Sequence, residues 1–185
     1  MAAKPKKLIC WGAGHNKHNG VEIKMPTYLK GYDLVGIRDY GYEYEYVPCV
    51  SCMHSAFDKK YEIENKVVAY EHSALVPINI EGIPKIGNSE RDIAKVIAFL
   101  GGAEIILTGS YHGAYWGLLL NKKVIIINPF SSKFFGFKYK VPIASLHNWK
   151  EKISEARAYP EALSEARKAN LAFAGKVEKL VNCVM

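Results

Sequence analysis

The sequence predicts an α/β fold, in which a Rossmann-like parallel sheet carries helices on both faces and a long carboxyl-terminal helix follows. From about Ile86, helical and strand patterns alternate with short connections, which is how a parallel sheet is wound. The strand patterns are continuous apolar runs such as Val124–Ile127, as expected for parallel strands covered on both faces. Half-exposed antiparallel strands would alternate apolar and polar residues instead. We treat residues 1–185 as a single domain.

Six short segments are predicted to be strands. The first enters a tight loop at Gly12-Ala13-Gly14, and the third is stopped by Pro48. The predicted strands are Leu8–Trp11, Asp33–Arg38, Tyr44–Val47, Val67–Tyr70, Glu104–Leu107 and Lys123–Ile127.

Two helices are predicted between these strands. Asn88 and Ser89 are expected to cap the first, with Asp92 completing an approximate capping box. Its apolar residues recur at helical spacing until Gly101-Gly102 stops it. The second, His112–Leu120, is short and expected to be buried.

The carboxyl-terminal part, residues 149–185, is predicted to be helical. Trp149–Ala158 has a helical pattern, and Pro160 suits the first turn of a final helix. That helix is expected to pack across the sheet, between lobes or against another copy of the chain. Its predicted buried stripe is Leu163, Ala166, Asn170, Ala174, Val177 and Val181.

The net charge of +7 suits an anionic ligand. The dense basic run is Lys4–Lys7, which we expect to be a solvated tail, so nucleic acid is not an expected partner. No apolar run is long enough to span a bilayer, and Gly12 and Gly14 interrupt any signal-peptide pattern. We therefore expect a cytoplasmic protein without a membrane span.

The cysteines are too few and too scattered for a disulfide scaffold, which favours a reduced compartment. Cys49 and Cys52 form a single CxxC, and tetrahedral zinc would need two further ligands. His54, His72 or Cys10 could contribute, but their spacing does not require it. We expect packing cysteines, with no metal and no cofactor.

The segment Thr108–Ala114 is the most informative for chemistry. It follows a predicted parallel strand and opens a helix, where open α/β sheets bind ligands and where free backbone N–H groups favour an anion. His112 could bind that anion or exchange a proton, although an isolated histidine is more often a capping or core residue. Ser110 and Tyr111 would add hydroxyl donors, and Gly113 would let a ligand approach the backbone.

Arg38 follows the second predicted strand. Its guanidinium could present two parallel donors to a carboxylate or phosphate, and a local ion pair with Asp39 is an equally good interpretation. Lys133, beyond the last predicted strand, could neutralise a phosphate or simply be solvated.

Two further segments are candidate acceptor-binding sites. Gly14, His15 and Asn16 follow a strand, as a phosphate or sugar loop does, but the third glycine of a dinucleotide fingerprint is missing. Tyr40, Tyr42, Tyr44 and Tyr46 would share one face of an extended strand, with Glu43 between two of them. Such a face suits sugar stacking, and a half-buried strand that packs its tyrosines is the plainer interpretation.

Three segments, Val35–Asp39, Val47–His54 and Ser110–Ile127, resemble the polysaccharide pyruvyl transferase family, and the similar part covers residues 7–142. The resemblance implies two facing Rossmann-like lobes of GT-B type with the active site between them. It implies transfer of an enolpyruvyl unit from phosphoenolpyruvate to a sugar. Arg38 matches the family's Arg-Asp motif and would hold the donor, and His112 matches its His-Gly motif and would bind the donor or protonate its methylene carbon.

Members of that family usually carry more chain ahead of the segment that begins at Trp11. We therefore expect a short form, one GT-B-like lobe with a remnant of the other, whose activity could be lost or could require a partner. The alternatives are a GT-B glycosyltransferase with a nucleotide-sugar donor and a non-catalytic single-lobe binding module. A homo-oligomer would rebuild a two-sided cleft.

Overall fold

The structure is a computed structural model and describes residues 7–73 and 77–182. These residues form two compact units. Unit 1 contains residues 7–51, 131–138 and 164–182, and unit 2 contains residues 52–73, 77–130 and 139–163. Most of the predicted basic tail, Lys4 and Lys6 included, and Cys183 lie outside the described residues.

Unit 1 is built on a three-stranded parallel sheet. Its strands are β1 (Ile9–Ala13), β2 (Leu34–Ile37) and β3 (Glu45–Tyr46), with β2 in the middle. The predicted end of the first strand at Trp11 is wrong, because pairing with β2 continues to Ala13 across a shift in register. Gly12 lies at that shift with a φ of +65°, a conformation that glycine adopts without steric cost.

Unit 2 contains a five-stranded parallel sheet. The strands are β4 (Asn65–Glu71), β5 (Lys85–Gly87), β6 (Ala103–Thr108), β7 (Lys123–Ile127) and β8 (Ile143–Ala144), in the order β5-β4-β6-β7-β8. Side chains that alternate along β6 enter separate apolar clusters, Ile105 and Leu107 in one and Ile106 in the other. Both faces are covered, which explains the continuous apolar runs.

Helices α1 (Ile93–Gly101) and α2 (Tyr111–Leu119) belong to unit 2. The predicted cap of α1 at Asn88 and Ser89 is wrong, because the N-cap residue is Asp92. Its carboxylate accepts hydrogen bonds from the backbone N–H groups of Ala94 and Lys95, at 2.9 and 3.3 Å. A carboxylate at this position satisfies two N–H groups that lack a partner within the helix.

Two predictions for the carboxyl-terminal part need correction. Trp149–Glu155 forms a 3-10 helix that ends at Ala156, whose backbone is extended, and residues 156–159 have no regular secondary structure. Pro160 lies in a turn ahead of the final helix α3, which spans Ala162–Asn182.

Helix α3 buries part of the predicted stripe, together with Phe173, which the prediction left out. Ala166, Asn170 and Phe173 are buried in unit 1, whereas Val181 is 46% exposed. Phe173 packs edge-on against Trp11, with 5.1 Å between ring centroids, and lies over Gly36 of β2. Asn170 is buried without penalty, because it accepts a hydrogen bond from the Trp11 indole and donates one to the Pro48 carbonyl.

The predicted α/β class with parallel sheets, flanking helices and a long carboxyl-terminal helix is therefore confirmed. Both sheets are parallel throughout, as the apolar strand patterns indicated. None of the helices in the described residues is both long enough and apolar enough to cross a membrane.

Candidate functional site

In unit 1, the loop that follows β1 lies directly against Arg38, which follows β2. A Cβ atom added at Gly14 would collide with Nε of Arg38 and lie 2.6 Å from its Cγ. The arginine side chain therefore passes over Gly14, and any larger residue there would displace it. This is a local reason for a glycine at position 14, and it links two segments that are far apart in the sequence.

Asp39, the residue after Arg38, is hydrogen-bonded to the same loop. Its Oδ2 accepts a hydrogen bond from the backbone N–H of His15 at 2.7 Å, and the carboxyl is buried. Burial raises the pKa of Asp39, although the His15 amide and the charge of Arg38 oppose this. A Cβ at Gly136 would collide with the other oxygen of Asp39, so the chain approaches closely on that side as well.

Ser132 ties the loop to residues 131–133. Its hydroxyl lies 2.7 Å from Nδ1 of His15 and accepts a hydrogen bond from the Lys17 N–H at 2.9 Å. The backbone N–H of Ser132 donates to the Lys17 carbonyl at 3.0 Å, and His18 and Ser131 form an antiparallel bridge. These contacts place the next residue, Lys133, in unit 1 with the loop and Arg38.

Lys133 and Arg38 are both half-buried, and the charge of Arg38 acts on Lys133. Burial lowers the pKa of Lys133, and the nearby positive charge of Arg38 lowers it further. We call Arg38, Lys133 and the Gly14-His15 loop the cationic cluster. Three predicted donor or acceptor segments thus meet in one place, and an anion bound there would relieve the repulsion between the two cations.

A cavity of about 260 Å³ lies at the carboxyl ends of β1 and β2 in unit 1. Gly14, His15 and Asn16 line it from one side, as expected for a ligand loop at that edge of a parallel sheet. The remaining lining is mostly apolar, from Ala13, Met25, Pro26, Tyr28, Leu29 and Ile37.

The tyrosine-rich segment does not form the predicted extended face. Residues 40–44 are turns and bends, because the Tyr40 N–H bonds to the Gly136 carbonyl and Gly41 adopts a φ of +86°. Tyr42 is 39% exposed, and Glu43 is also exposed, while Tyr44 is half-buried. The segment is therefore not extended, although the rings of Tyr40 and Tyr46 meet edge-to-face with 5.2 Å between their centroids.

In unit 2, the predicted hydroxyl donors at the start of α2 lie in the interior. Ser110 is the N-cap residue and is buried, and its backbone N–H donates to Oγ1 of Thr108 at 2.9 Å. The Thr108 hydroxyl in turn donates to the Tyr70 carbonyl at 2.8 Å. Tyr111 is also buried and stacks on Tyr115, with 6.1 Å between ring centroids.

His112, the second residue of α2, is half-buried. Its ring lies 5.1 Å from the Trp116 ring, one helical turn further on. A Cβ at Gly113 would collide with Oγ1 of Thr108 and lie 2.5 Å from the Tyr70 ring. Gly113 is therefore explained by close packing of α2 on the sheet rather than by ligand approach.

A second cavity, of about 200 Å³, lies at the carboxyl ends of β4, β6 and β7 in unit 2. Gly109 is the one residue of the predicted Thr108–Ala114 segment in its lining. Glu71, His72 and Asn128 also line it. Of these three, the sequence pointed only to His72, and then as a zinc ligand. Each lies at or directly after the end of a parallel strand, which is the signal that could have identified them.

The CxxC cysteines differ in environment. Cys52 is buried, whereas Cys49 is half-buried and accepts a hydrogen bond from the Ser51 hydroxyl at 3.3 Å. His54 caps a short 3-10 helix by accepting from the Ala56 N–H at 3.1 Å. Within residues 7–73 and 77–182, no three His, Cys, Asp or Glu side chains are grouped to hold a metal ion.

The chemistry of the two units follows from their own geometry. Unit 1 presents Arg38 and Lys133 beside a glycine loop, which suits an anionic ligand. Unit 2 presents a small cavity with a carboxylate and an amide at its rim. Comparison of the chain with protein-family models, with curated proteins and with solved structures gave no match.

Proposed function

We propose that the chain is a transferase of the polysaccharide pyruvyl transferase type, which binds phosphoenolpyruvate and passes its enolpyruvyl group to a sugar. The observation that carries the proposal is that two half-buried cations, Arg38 and Lys133, lie in unit 1 with the Gly14-His15 loop. The identity of the donor comes from the sequence resemblance, and the cationic cluster supports a ligand of that charge.

The cluster favours a ligand with more than one negative charge. Arg38 offers a planar fork of donors that matches a phosphate or a carboxylate, and Lys133 adds a point charge. Both side chains are partly shielded from water, so their attraction for an anion is screened less than at a fully exposed site. Phosphoenolpyruvate carries a phosphate and a carboxylate, which is one anionic group for each cation.

In the proposed reaction, sugar hydroxyls add to C2 of the enolpyruvyl group, its bond to the phosphate oxygen breaks and inorganic phosphate leaves. The methylene carbon takes a proton and becomes a methyl group, so that a ketal results. We assign the proton to His112 on the basis of the resemblance. The Trp116 ring beside His112 restricts the imidazole, which suits a group that must be aimed at one carbon.

The acceptor in this proposal is a sugar of a polysaccharide or glycan precursor. Asn16, Tyr42 and Glu43 are exposed and could contact it. Because phosphoenolpyruvate is a product of central metabolism, we propose that the reaction takes place in the cytoplasm, without nucleic acid, metal or cofactor.

The first test is a thermal-shift series on the full chain with phosphoenolpyruvate, inorganic phosphate, UDP, GDP and CMP. A ligand at about a hundred times its dissociation constant stabilises a fold by roughly 2.7 kcal/mol. For a domain of this size, that raises the Tm by roughly 5–10 °C. Arg38→Gln and Lys133→Gln are expected to lose most of the rise with phosphoenolpyruvate.

Lys168→Gln is the matched control, because Lys168 is exposed on α3 and the variant loses the same charge from unit 1. It should keep the full shift. A shift with a nucleotide but not with phosphoenolpyruvate would replace the proposal with a nucleotide-sugar glycosyltransferase. If none of these anions raises the Tm, the proposal is rejected. The chain would then be a binding module for another ligand.

The role of His112 needs a separate readout. His112→Gln should keep the phosphoenolpyruvate shift but release no inorganic phosphate when acceptor sugars are added, since the proposed proton donor is missing. Full turnover by this variant would contradict the assignment. His147→Gln, at an exposed histidine of unit 2, is the control and should turn over normally.

A further inference from the structure

The cavity of about 200 Å³ in unit 2 has the features of a ligand-binding site, and the proposed reaction does not use it. It lies at the carboxyl edge of the parallel sheet, between the ends of β4, β6 and β7. Its floor is formed by Ile78 and Ile127, which are buried members of an apolar cluster, and by Leu146, which packs against that cluster. At about 200 Å³ it is smaller than the 300–1,000 Å³ typical of drug-sized ligands, so it fits a single ring rather than a nucleotide.

The charge of the lining argues against an anion. Among the described residues that line the cavity there is no lysine or arginine. The one ionisable acid is Glu71, and its Oε1 already accepts hydrogen bonds from the Ile78 N–H at 2.7 Å and from Lys85 at 3.3 Å. These two contacts fix the orientation of the carboxylate and compensate its charge, so the rim is close to neutral.

The rim nevertheless offers hydrogen bonds to a ligand. Glu71 has a second carboxylate oxygen, for which no hydrogen bond is present within the described residues. Asn128 is exposed, and in that same part of the chain its amide forms no side-chain hydrogen bond, so its donor and its acceptor can both bond to a ligand. A carboxylate oxygen and an amide together suit neighbouring hydroxyl groups, each of which donates and accepts.

Two rings complete the wall. Phe130 and His72 lie edge-to-face, with 6.1 Å between their centroids, and both line the cavity. An apolar floor, aromatic walls and a polar rim fit the amphipathic form of a pyranose, which has apolar C–H faces and a hydroxylated edge.

We propose that this cavity binds an uncharged pyranose ring, with its hydroxyls on Glu71 and Asn128 and its C–H face on Phe130. The site is independent of the cationic cluster, and it stands or falls separately from the proposed transferase activity. A bare sugar needs no anion site, and phosphoenolpyruvate has no ring to fill this cavity.

The test is a two-dimensional ¹H–¹⁵N NMR titration of the full chain with methyl glucoside, methyl galactoside, methyl mannoside, adenosine and uridine. At least one methyl pyranoside should shift the backbone signals of Gly109 and Asn128, with a dissociation constant in the millimolar range typical of single sugar rings. Asn128→Gly should weaken that sugar by about tenfold. Glycine suits the φ of +46° at this position, so the substitution removes the amide and leaves the backbone unstrained.

Asn121→Gly is the matched control, because Asn121 is also exposed in unit 2 and has a φ of +57°, but does not line the cavity. It should bind the sugar within about twofold of the wild type. If Asn128→Gly fails to fold, Phe130→Leu tests the same wall by removing the aromatic face. The proposal is overturned if no pyranoside shifts Gly109 and Asn128, if the two asparagine variants bind alike, or if a nucleoside binds in preference.

Discussion

At the scale of single residues, the clearest dependence is that of Arg38 on Gly14. The arginine side chain occupies the space that a Cβ at position 14 would need. Neither residue suggests this link by itself in the sequence, since they are separated by a loop and a strand. The position of the guanidinium is thus set by a residue with no side chain.

Gly14→Ala should therefore reproduce the ligand-binding defect of Arg38→Gln. The added methyl group displaces the arginine, so the thermal shift with phosphoenolpyruvate should fall to the level of the arginine variant, while the fold remains intact by circular dichroism. Gly31→Ala is the control, because a Cβ at Gly31 has nothing within 4 Å. A full shift in Gly14→Ala would show that the arginine can bind from another rotamer.

Asp39 gives a prediction about pH. Burial raises its pKa, so its contribution to stability is present below the unfolded pKa of about 3.9 and is lost as the pH rises through the folded pKa. Asp39→Asn stays neutral and keeps an oxygen for the His15 N–H. The difference in unfolding free energy, Asp39→Asn minus wild type, should therefore rise from acidic to neutral pH, because only the wild type loses stability over that range.

Asp33→Asn is the control of opposite sign. Its hydrogen bond with Lys7 lowers the pKa of Asp33, so the ionised form contributes stability that is lost as the pH falls through the folded pKa. The difference in unfolding free energy, Asp33→Asn minus wild type, should fall as the pH rises. Urea unfolding at a series of pH values measures both, and parallel profiles would contradict the assignment for Asp39.

At the scale of elements, the start of α1 shows a difference between the cap that the sequence pattern predicts and the cap that is observed. Ser89 and Asp92 have capping-box spacing, but the helix begins at Ile93 and Asp92 caps it directly. Asp92→Ala should cost about 1 kcal/mol of unfolding free energy, since two backbone N–H groups lose their acceptor. Ser89→Ala should change it by less than about 0.5 kcal/mol, as is usual for surface positions. Equal losses in urea unfolding would restore the predicted cap.

Two helical glycines provide a second comparison at this scale. Gly113→Ala should destabilise the protein by about 1–3 kcal/mol, because the methyl group meets Thr108 and Tyr70 under α2. Gly175→Ala on α3 should stabilise it by about 0.5–1 kcal/mol, because a Cβ there has nothing within 4 Å and alanine favours the helix. Thermal unfolding of the two variants should therefore move in opposite directions. A stabilised Gly113→Ala would mean that the strand side chains can yield.

At the scale of the whole molecule, the chain forms two units that are not continuous in sequence. Residues 131–138 and 164–182 join the amino-terminal segment, through contacts such as Ser132 with His15 and Asn170 with Trp11. Local sequence patterns predict strands and helices, but they do not indicate which distant segments of the chain pack against each other. The sequence therefore places Lys133 only beyond the last predicted strand, whereas the structure places it in unit 1 with the Gly14-His15 loop.

The sequence by itself determined the α/β class, most helix positions and six of the eight strands in the described residues, because apolar periodicity and breakers such as Gly101-Gly102 act locally. The short strands β5 and β8 were not predicted. The sequence also marked Arg38, Lys133 and the Gly14-His15 loop as separate candidates. Only the tertiary structure decided that these candidates meet in unit 1. It also decided that Ser110 and Tyr111 are buried, and that Glu71 and Asn128 line one cavity. Burial and electrostatic coupling depend on what packs around a side chain, and contacts between residues distant in the chain set that environment.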